Sequence, residues 1–443
     1  MAADHPSPQQ LTTGCCIVGG GPAGMVLGFL LARAGVEVVV LEKHADFLRD
    51  FRGDTIHPST LEIMYELGIL GDFLKRPHQE LSRIGALIGD FAVTVADFTH
   101  LPTHCKFVGL MPQWDFLNFL SARAKRFPSF QLRMECEGVD LLRDGAAITG
   151  VEARSSEGPV YIHADLVVAC DGRHSTLRKA AGLQMHEFGV PIDVLWFRIS
   201  RSAGDPEQVL GNVNYGKVLI LINRGDYFQA GLIIRKGSFE QVKQDGLEAF
   251  RETIARIAPY LRDRVGELES WDQIKLLTVQ INRLRKWHLP GLLCIGDAAH
   301  AMSPAGGVGI NLAIQDAVAT ANLLSEPLLE RRVTEAQLAG VQQRREFPTR
   351  ATQAAQVNAH NLFERVFETG DRPLNAPWQL KAVARVPGLQ RVMGHVVGIG
   401  VRPEHVAGAA GRGAQQERSL KKAAVHAGAL LGAVVATVRV LRG

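Results

Sequence analysis

Three glycines, Gly19, Gly21 and Gly24, stand in the spacing GxGxxG within GGGPAG, and Glu42 follows 18 residues after the last. That spacing suits a dinucleotide cradle: the first glycine permits a tight turn, the second lets backbone approach a pyrophosphate, and the third lets a helix pack closely on a strand. A carboxylate at Glu42 can accept hydrogen bonds from both ribose hydroxyls. Two further turns put acids after apolar runs. Asp171 and Gly172 open DGRHSTLR, and Gly296 and Asp297 open GDAAHAMSPAGGVGINLAIQDA, where Pro304 precedes a glycine-rich loop. An acid at the latter turn can hold a polyol hydroxyl, and a glycine loop feeding a helix offers N–H groups and a positive dipole end to an anionic ring. An Asp-Gly pair alone is also an ordinary turn.

The elements that must position these residues follow from apolar patterning. Cys15 to Val18 reads as a strand, Ala23 to Arg33 as a helix stopped by Gly35, and Val36 to Leu41 as a buried strand ending at Glu42. This makes one βαβ unit of about 30 residues. Strand signals recur at Leu166 to Cys170 and Leu292 to Ile295. From about Gly189 the pattern alternates. Ile192 to Ser200 places Val194, Trp196 and Arg198 on one face and Leu195, Phe197 and Ile199 on the other, and Val218 to Ile222 and Tyr227 to Ile234 flank a hairpin turn at Asn223 to Asp226. A helix over about Phe239 to Ala258 and a strand over Ile274 to Ile281 follow. The fold class is therefore α/β: a discontinuous Rossmann-like nucleotide-binding domain (1–78, 101–188 and 283–365) with an inserted, mostly antiparallel β-sheet domain (79–100 and 189–282). The last hundred residues read as helices broken at Pro348, Pro373, Pro377 and Pro387, and 366–443 form a C-terminal helical region. Its Ala/Gly-rich basic end after Gly408 reads as a frayed or docked helix in preference to a membrane-surface anchor.

Composition excludes several classes. The 443 residues allow two or three domains, and a net charge of +4 from 49 Lys+Arg against 45 Asp+Glu is too mild for a nucleic-acid binder. At 46% hydrophobic, the chain is neither disordered nor a multi-span membrane protein. Six cysteines without a CxxC pair argue against a disulfide scaffold or zinc site, and no metal is expected. The opening MAADHPSPQQLTTG lacks a signal peptide's basic start and apolar stretch, and Ala427 to Val438 is too short to span a bilayer; both point to the cytoplasm.

Taken together, GGGPAG, Glu42, DGRHSTLR and GDAAHAMSPAGGVGIN resemble the group A flavoprotein monooxygenases, the para-hydroxybenzoate hydroxylase-like aromatic hydroxylases, from about Cys15 to Asn322. The resemblance implies FAD in an extended pose, NADPH or NADH as co-substrate, and O2 activated as a hydroperoxide at flavin carbon 4a that transfers one oxygen atom to an aromatic or polycyclic small molecule. It implies that Gly19, Gly21, Ala23 and Gly24 hold the pyrophosphate, with Glu42 and the adjacent Lys43 at the adenosine ribose. Arg52, in FRGDTIHPSTLEIM, matches an arginine near the pyrophosphate and ring, and Gln113, in MPQWDFLNFL, a glutamine at the ribityl region; a surface salt bridge and a helix-start residue are the ordinary alternatives. Gly296 and Asp297 would lie on the ribityl chain. Asp171, Gly172 and Arg178 would support both FAD and the nicotinamide. Pro304, Gly307, Gly309, Ile310 and Asn311 would sit beside the ring, with Asn311 either anchoring the loop or touching the ring. Arg52 and Pro304 stand closest to the chemistry. His300 lies within the motif as a turn-supporting residue.

No nucleophile constellation is evident, in keeping with a reaction performed by a cofactor that the protein positions and keeps dry. No second glycine fingerprint suggests a separate nicotinamide domain. For the substrate, a sheet face bearing Val194, Trp196, Tyr215, Tyr227 and Phe228 would suit a flat apolar molecule, and these are equally ordinary core residues. Arg198 could pair with a carboxylate or phenolate, or face solvent.

Overall fold

The apolar run before the glycines is the end of a longer strand, β1 (Gln9–Val18), whose last six residues are buried. The helix α1 (Pro22–Arg33) is buried from Ala23 to Ala32, and β2 (Val38–Leu41) is buried throughout. Burial on both faces explains why these segments read as unbroken apolar runs. The computed structural model describes residues 8–48, 55–206, 209–376, 378, 381, 384, 386 and 388–407.

Three more strands complete a parallel sheet: β3 (Phe130–Arg133), β4 (Gly158–Ala169) and β5 (Leu292–Cys294). The order across it is β3-β2-β1-β4-β5. This is the doubly wound order, and it reverses between β1 and β4, where such sheets open a crevice at their carboxyl ends. Register then does the positioning. Val18 pairs with Leu41 and with Ala169, and Ala169 pairs with Cys294, so the turns after β1, β2, β4 and β5 leave the sheet side by side. Cys136–Asp144 and Ala147–Ser155 extend this sheet beyond β4 as antiparallel strands. The helix α2 (Gly309–Leu329) packs beside α1 and is buried along most of its length.

A second sheet of seven strands runs in the order Lys275–Leu277, Ile192–Ser200, Tyr227–Arg235, Lys217–Asn223, Val209–Asn214, Arg83–Ile88, Phe91–Asp97. All neighbours are antiparallel except the parallel pair Val209–Asn214 and Arg83–Ile88. One face, with Leu195, Phe197, Ile199 and Phe228, packs on Phe250 and Ile254 of the helix Leu247–Ile257. The other, with Val194, Trp196 and Ile233, packs on Val357, Phe363 and Phe367 of the 34-residue helix α3 (Glu335–Glu368). After α3 the chain returns through α4 (Leu389–Gly398) to Ala407. Among the described residues no helix is long and apolar enough to cross a membrane.

Several expectations are corrected. Pro348 lies inside α3 without breaking it, because Leu338 and Val341 before it and Thr349, Gln353 and Gln356 after it are all buried and hold both halves in line. The 365/366 boundary consequently falls within one helix. The segment Phe239 to Ala258 is two helices, Phe239–Asp245 and Leu247–Ile257, parted by Gly246 at φ +95°. Ile274 to Ile281 is not one strand: Lys275–Leu277 joins the second sheet, and Ile281–Leu284 pairs with Met185–Phe188 instead. The proposed aromatic face does not exist as one surface. Phe228 lies opposite Ile199 and shares its face, away from Trp196 and Val194. Tyr215 occupies a turn at φ +50° with the Arg256 guanidinium 4.1 Å from its ring centre. Arg198 is exposed, 3.8 Å from the Tyr227 ring centre and 3.7 Å from Asp226. Pro377, Pro387 and the tail 408–443 lie outside the described residues.

Candidate functional site

The glycine turn joins β1 to α1 directly above the crevice. Gly19, at φ +111°, donates its N–H to the Leu41 carbonyl at 2.8 Å, and a Cβ there would lie 2.3 Å from the Cys170 carbonyl oxygen. At Gly24 a Cβ would lie 2.0 Å from the Gly19 carbonyl oxygen, so the helix sits on its own turn. Gly21 differs. Its φ is an ordinary −74°, and a Cβ there would meet nothing within 4 Å. Gly19 and Gly24 are thus required by the protein's own packing, whereas the space in front of Gly21 is open for a bound group. Ala23 is buried, its Cβ 3.3 Å from where a Cβ on Gly296 would be.

At the end of β2, Glu42 is 9% exposed; its Oε2 accepts from the Gly20 N–H and its Oε1 from the His44 N–H, both at 3.1 Å. Lys43 is exposed, its Nζ 4.0 Å from Glu137. Gln113 is the first residue of the helix Gln113–Ala124, following Pro112. Arg52 lies outside the described residues.

The turn after β4 is built around Asp171. Its Oδ2 accepts from the N–H groups of Thr176 (2.8 Å) and Leu177 (3.2 Å), capping a short helix. Its Oδ1 is buried and has no hydrogen-bond partner among the described residues. Burial pushes this carboxyl above its ordinary range, against the opposing hydrogen bonds. Gly172 turns beside it at φ +83°. Arg178 points inward and is buried. It donates to the carbonyls of Ala298 (2.9 Å) and Arg173 (2.8 Å), tying this turn to the one after β5. Arg173 in turn stands 3.7 Å from Asp297.

Beyond Asp297 the chain reaches Pro304 and a 3-10 turn, Ala305–Gly307, in which Gly306 and Gly307 have φ of +80° and +61°. The Thr55 hydroxyl donates to the Gly307 carbonyl at 3.0 Å. Gly309 and Ile310 begin α2. Asn311 is buried and faces protein: its Oδ1 accepts from the His57 N–H (3.3 Å) and the Thr60 hydroxyl (2.6 Å). It anchors the loop to the helix Pro58–Glu66. His57 Nδ1 stands 2.7 Å from the Val397 carbonyl oxygen, and burial pushes the imidazole down to about 4, so it is neutral at pH 7. Asn311→Ala would strand the buried His57 N–H and Thr60 hydroxyl, at about 1–3 kcal/mol. Chemical denaturation of the cofactor-free protein is expected to read a loss in that range.

Behind the Gly296 turn lies a buried charge cluster. Asp316 receives the Gly296 N–H (3.1 Å), Arg345 Nε (2.9 Å) and His300 Nε2 (2.6 Å), and all three side chains are at most 1% exposed. His300 is therefore part of the turn's support. Asp316, Arg345, Arg173 and the loop-binding residues of α3 were missed by reading motifs. The available signal was Asp316, the lone acid among the buried residues of α2.

The chain matches the family model described as an FAD binding domain over residues 12–355. The chain belongs to the FAD-binding-domain family. It is 31% identical over 357 residues to a 6-methylpretetramide 4-monooxygenase of Streptomyces rimosus, covering 80% of this chain and 85% of that protein. It is 27% identical over 308 residues to a rifampicin monooxygenase of Streptomyces venezuelae, covering 68% of this chain and about three-fifths (61%) of that one. The crystal structure of p-nitrophenol 4-monooxygenase from Pseudomonas putida shares the fold, with TM-score 0.71 at 19% identity over 88% of this chain and 97% of that one. Within the family the chain is an FAD-dependent monooxygenase of the aromatic hydroxylase type, as its motifs led one to expect.

Proposed function

We propose that the chain holds FAD across the β1–β4 crevice, takes electrons from NADPH or NADH, and adds one atom of O2 to an aromatic polycyclic molecule akin to the substrate named for its Streptomyces rimosus relative. The observation that carries the residue assignment is the row of four turns at the reversal of strand order, with open space before Gly21 and a buried oxygen on Asp171 that has no partner among the described residues. In this reading Gly19, Gly21, Ala23, Gly24 and the N-terminus of α1 receive the pyrophosphate, Glu42 and Lys43 flank the adenosine ribose, and Asp171, Gly172 and Asp297 take hydroxyls along the crevice. Arg178 acts by holding two turns together. Pro304, Gly307, Gly309 and Ile310 border the ring, where the positive end of α2 favours negative charge, while Asn311 fixes that loop. Arg52 and Gln113 join the set through their motifs. The bound FAD supplies electron transfer and oxygen delivery, and the chain supplies position, charge and exclusion of water. Six cysteines without a disulfide fit a reducing cytoplasm.

The test is a panel of phenols, polyketides and polycyclic antibiotics offered to the FAD-loaded protein with NADPH and NADH separately. The expected hit accelerates nicotinamide oxidation and yields a product one oxygen heavier, the label coming from isotopic O2. A good substrate oxidised without O2 and without gaining oxygen would sink the reading.

A further inference from the structure

The helix α3 turns a polar side toward the loop around Pro304. Arg345, Thr349, Gln353, Gln356 and His360 recur at helical spacing, and each is at most 5% exposed. Burying such groups is unfavourable unless they are hydrogen-bonded, so their partners reveal what the stripe does. Gln353 Nε2 donates to the carbonyls of Asn282 (2.7 Å) and Ala301 (3.2 Å). Gln356 accepts the Ser303 N–H on Oε1 at 3.0 Å and donates from Nε2 to the carbonyls of Ser303 and Ala305, both at 2.9 Å. His360 Nε2 lies 2.8 Å from Ser303 Oγ, which accepts the Ala305 N–H at 3.2 Å. Both neighbours of Pro304 are therefore held by one side chain, Gln356.

We propose that Gln356 is a positioning residue for the oxygen-transfer reaction, acting through Ser303 and Ala305 to fix the Pro304 loop, and with it the start of α2, against the flavin ring. This rests on the function proposed above. The loop has little regular structure of its own: one 3-10 turn with two glycines at positive φ. Thr55 and Asn311 tether it on one side and Gln356 on the other. The next residue along α3, Val357, packs with Trp196 and Val194 on the second sheet. The same helix turn thus sets how far the loop stands from that sheet. The field of a helix terminus fades within about one turn, and a misplacement of about 1 Å at a reacting centre can cost up to about 100-fold in rate.

Gln356→Leu, apolar and of roughly similar bulk but without hydrogen bonds, is compared with the unsubstituted protein by amide exchange without FAD and, once loaded, by flavin midpoint potential and product formed per NAD(P)H. Exchange across 303–309 is expected to rise at least about tenfold while α1 and the parallel sheet stay protected. FAD occupancy is retained and the potential moves to more negative values. Hydroxylation kcat falls about tenfold with KM within about twofold. The missing product appears as peroxide, NAD(P)H, H+ and O2 giving NAD(P)+ and H2O2. Gln356→Glu, which keeps an acceptor for the Ser303 N–H and loses the donor to both carbonyls, is read the same way if the leucine variant does not fold. Unchanged exchange, or faster exchange with potential and coupling unmoved, overturns the inference while leaving the parent function intact. An unsubstituted protein that binds no FAD overturns both.

Discussion

Gly21→Val is expected to give a folded protein that no longer retains FAD, whereas Gly24→Ala is expected to lose stability before any cofactor is added. The contrast comes from where the added carbon lands. At position 21 the backbone is extended, followed by Pro22, and nothing lies within 4 Å of a Cβ. Valine adopts that conformation readily, and as a poorer helix cap it costs about 1 kcal/mol. A branched side chain there fills the space through which a pyrophosphate must approach the N–H groups of the turn. Losing two hydrogen bonds to a charged group, about 1.5–3 kcal/mol each, weakens binding by about 100-fold or more. At position 24 the added carbon meets a backbone oxygen at 2.0 Å, which cannot swing aside. Helix and strand must part, at about 3 kcal/mol. Denaturation of the cofactor-free proteins reads the second effect, and titration with FAD followed by flavin fluorescence reads the first. Full FAD retention by a folded Gly21→Val protein would remove the pyrophosphate from this turn.

The sequence carried the βαβ unit because its information is local. Three glycines with separate steric duties, an apolar helix and a buried strand ending at Glu42 follow one another within about 30 residues, and the structure keeps that order. The hairpin around Asn223 to Asp226 was readable for the same reason. What failed depended on register or on burial of polar groups. Phe228 and Trp196 look alike in composition, and only the pairing of Ile199 with Phe228 puts them on opposite faces. The inner side of α3 consists of Arg345, Thr349, Gln353, Gln356 and His360, a pattern that in isolation means a solvated face. Gln353, Gln356 and His360 are buried there because the segment from Ala301 to Ala305 needs partners that its own backbone cannot provide, and Arg345 is buried against Asp316. Pro348 misled for a related reason: its cost is local, and the docking that overrides it is spread along the whole helix.

Asp316→Asn is expected to destabilise the cofactor-free protein by about 3–5 kcal/mol, the range for removing one partner from a buried ion cluster. The carboxylate is fully buried and takes three donors, one of them the Arg345 guanidinium, itself 1% exposed. Asparagine matches the size but not the charge, and it turns an N–H2 toward groups that are themselves donors. Beside position 316, Arg345 has Glu404 3.6 Å away and the Arg402 carbonyl at 3.3 Å among the described residues, and a neutral amide offsets its buried charge less than a carboxylate does. The pH dependence gives a second handle. Burial pushes the Asp316 carboxyl up, but His300 and Arg345 outweigh it and hold it below its ordinary value of 3.8. A carboxyl depressed in the folded state stabilises fully above its unfolded value, and that contribution disappears as pH falls through the lower folded value. Unsubstituted protein should therefore lose stability steeply below about pH 4, where the unfolded chain begins to bind the extra proton. The Asp316→Asn protein, already weakened at neutral pH, should lack that part of the acid limb. Urea midpoints from about pH 3 to about pH 8 for both proteins decide it, a range that covers the onset of the loss as pH falls through the unfolded value: parallel curves would mean that the cluster is not what holds the Gly296 turn in place.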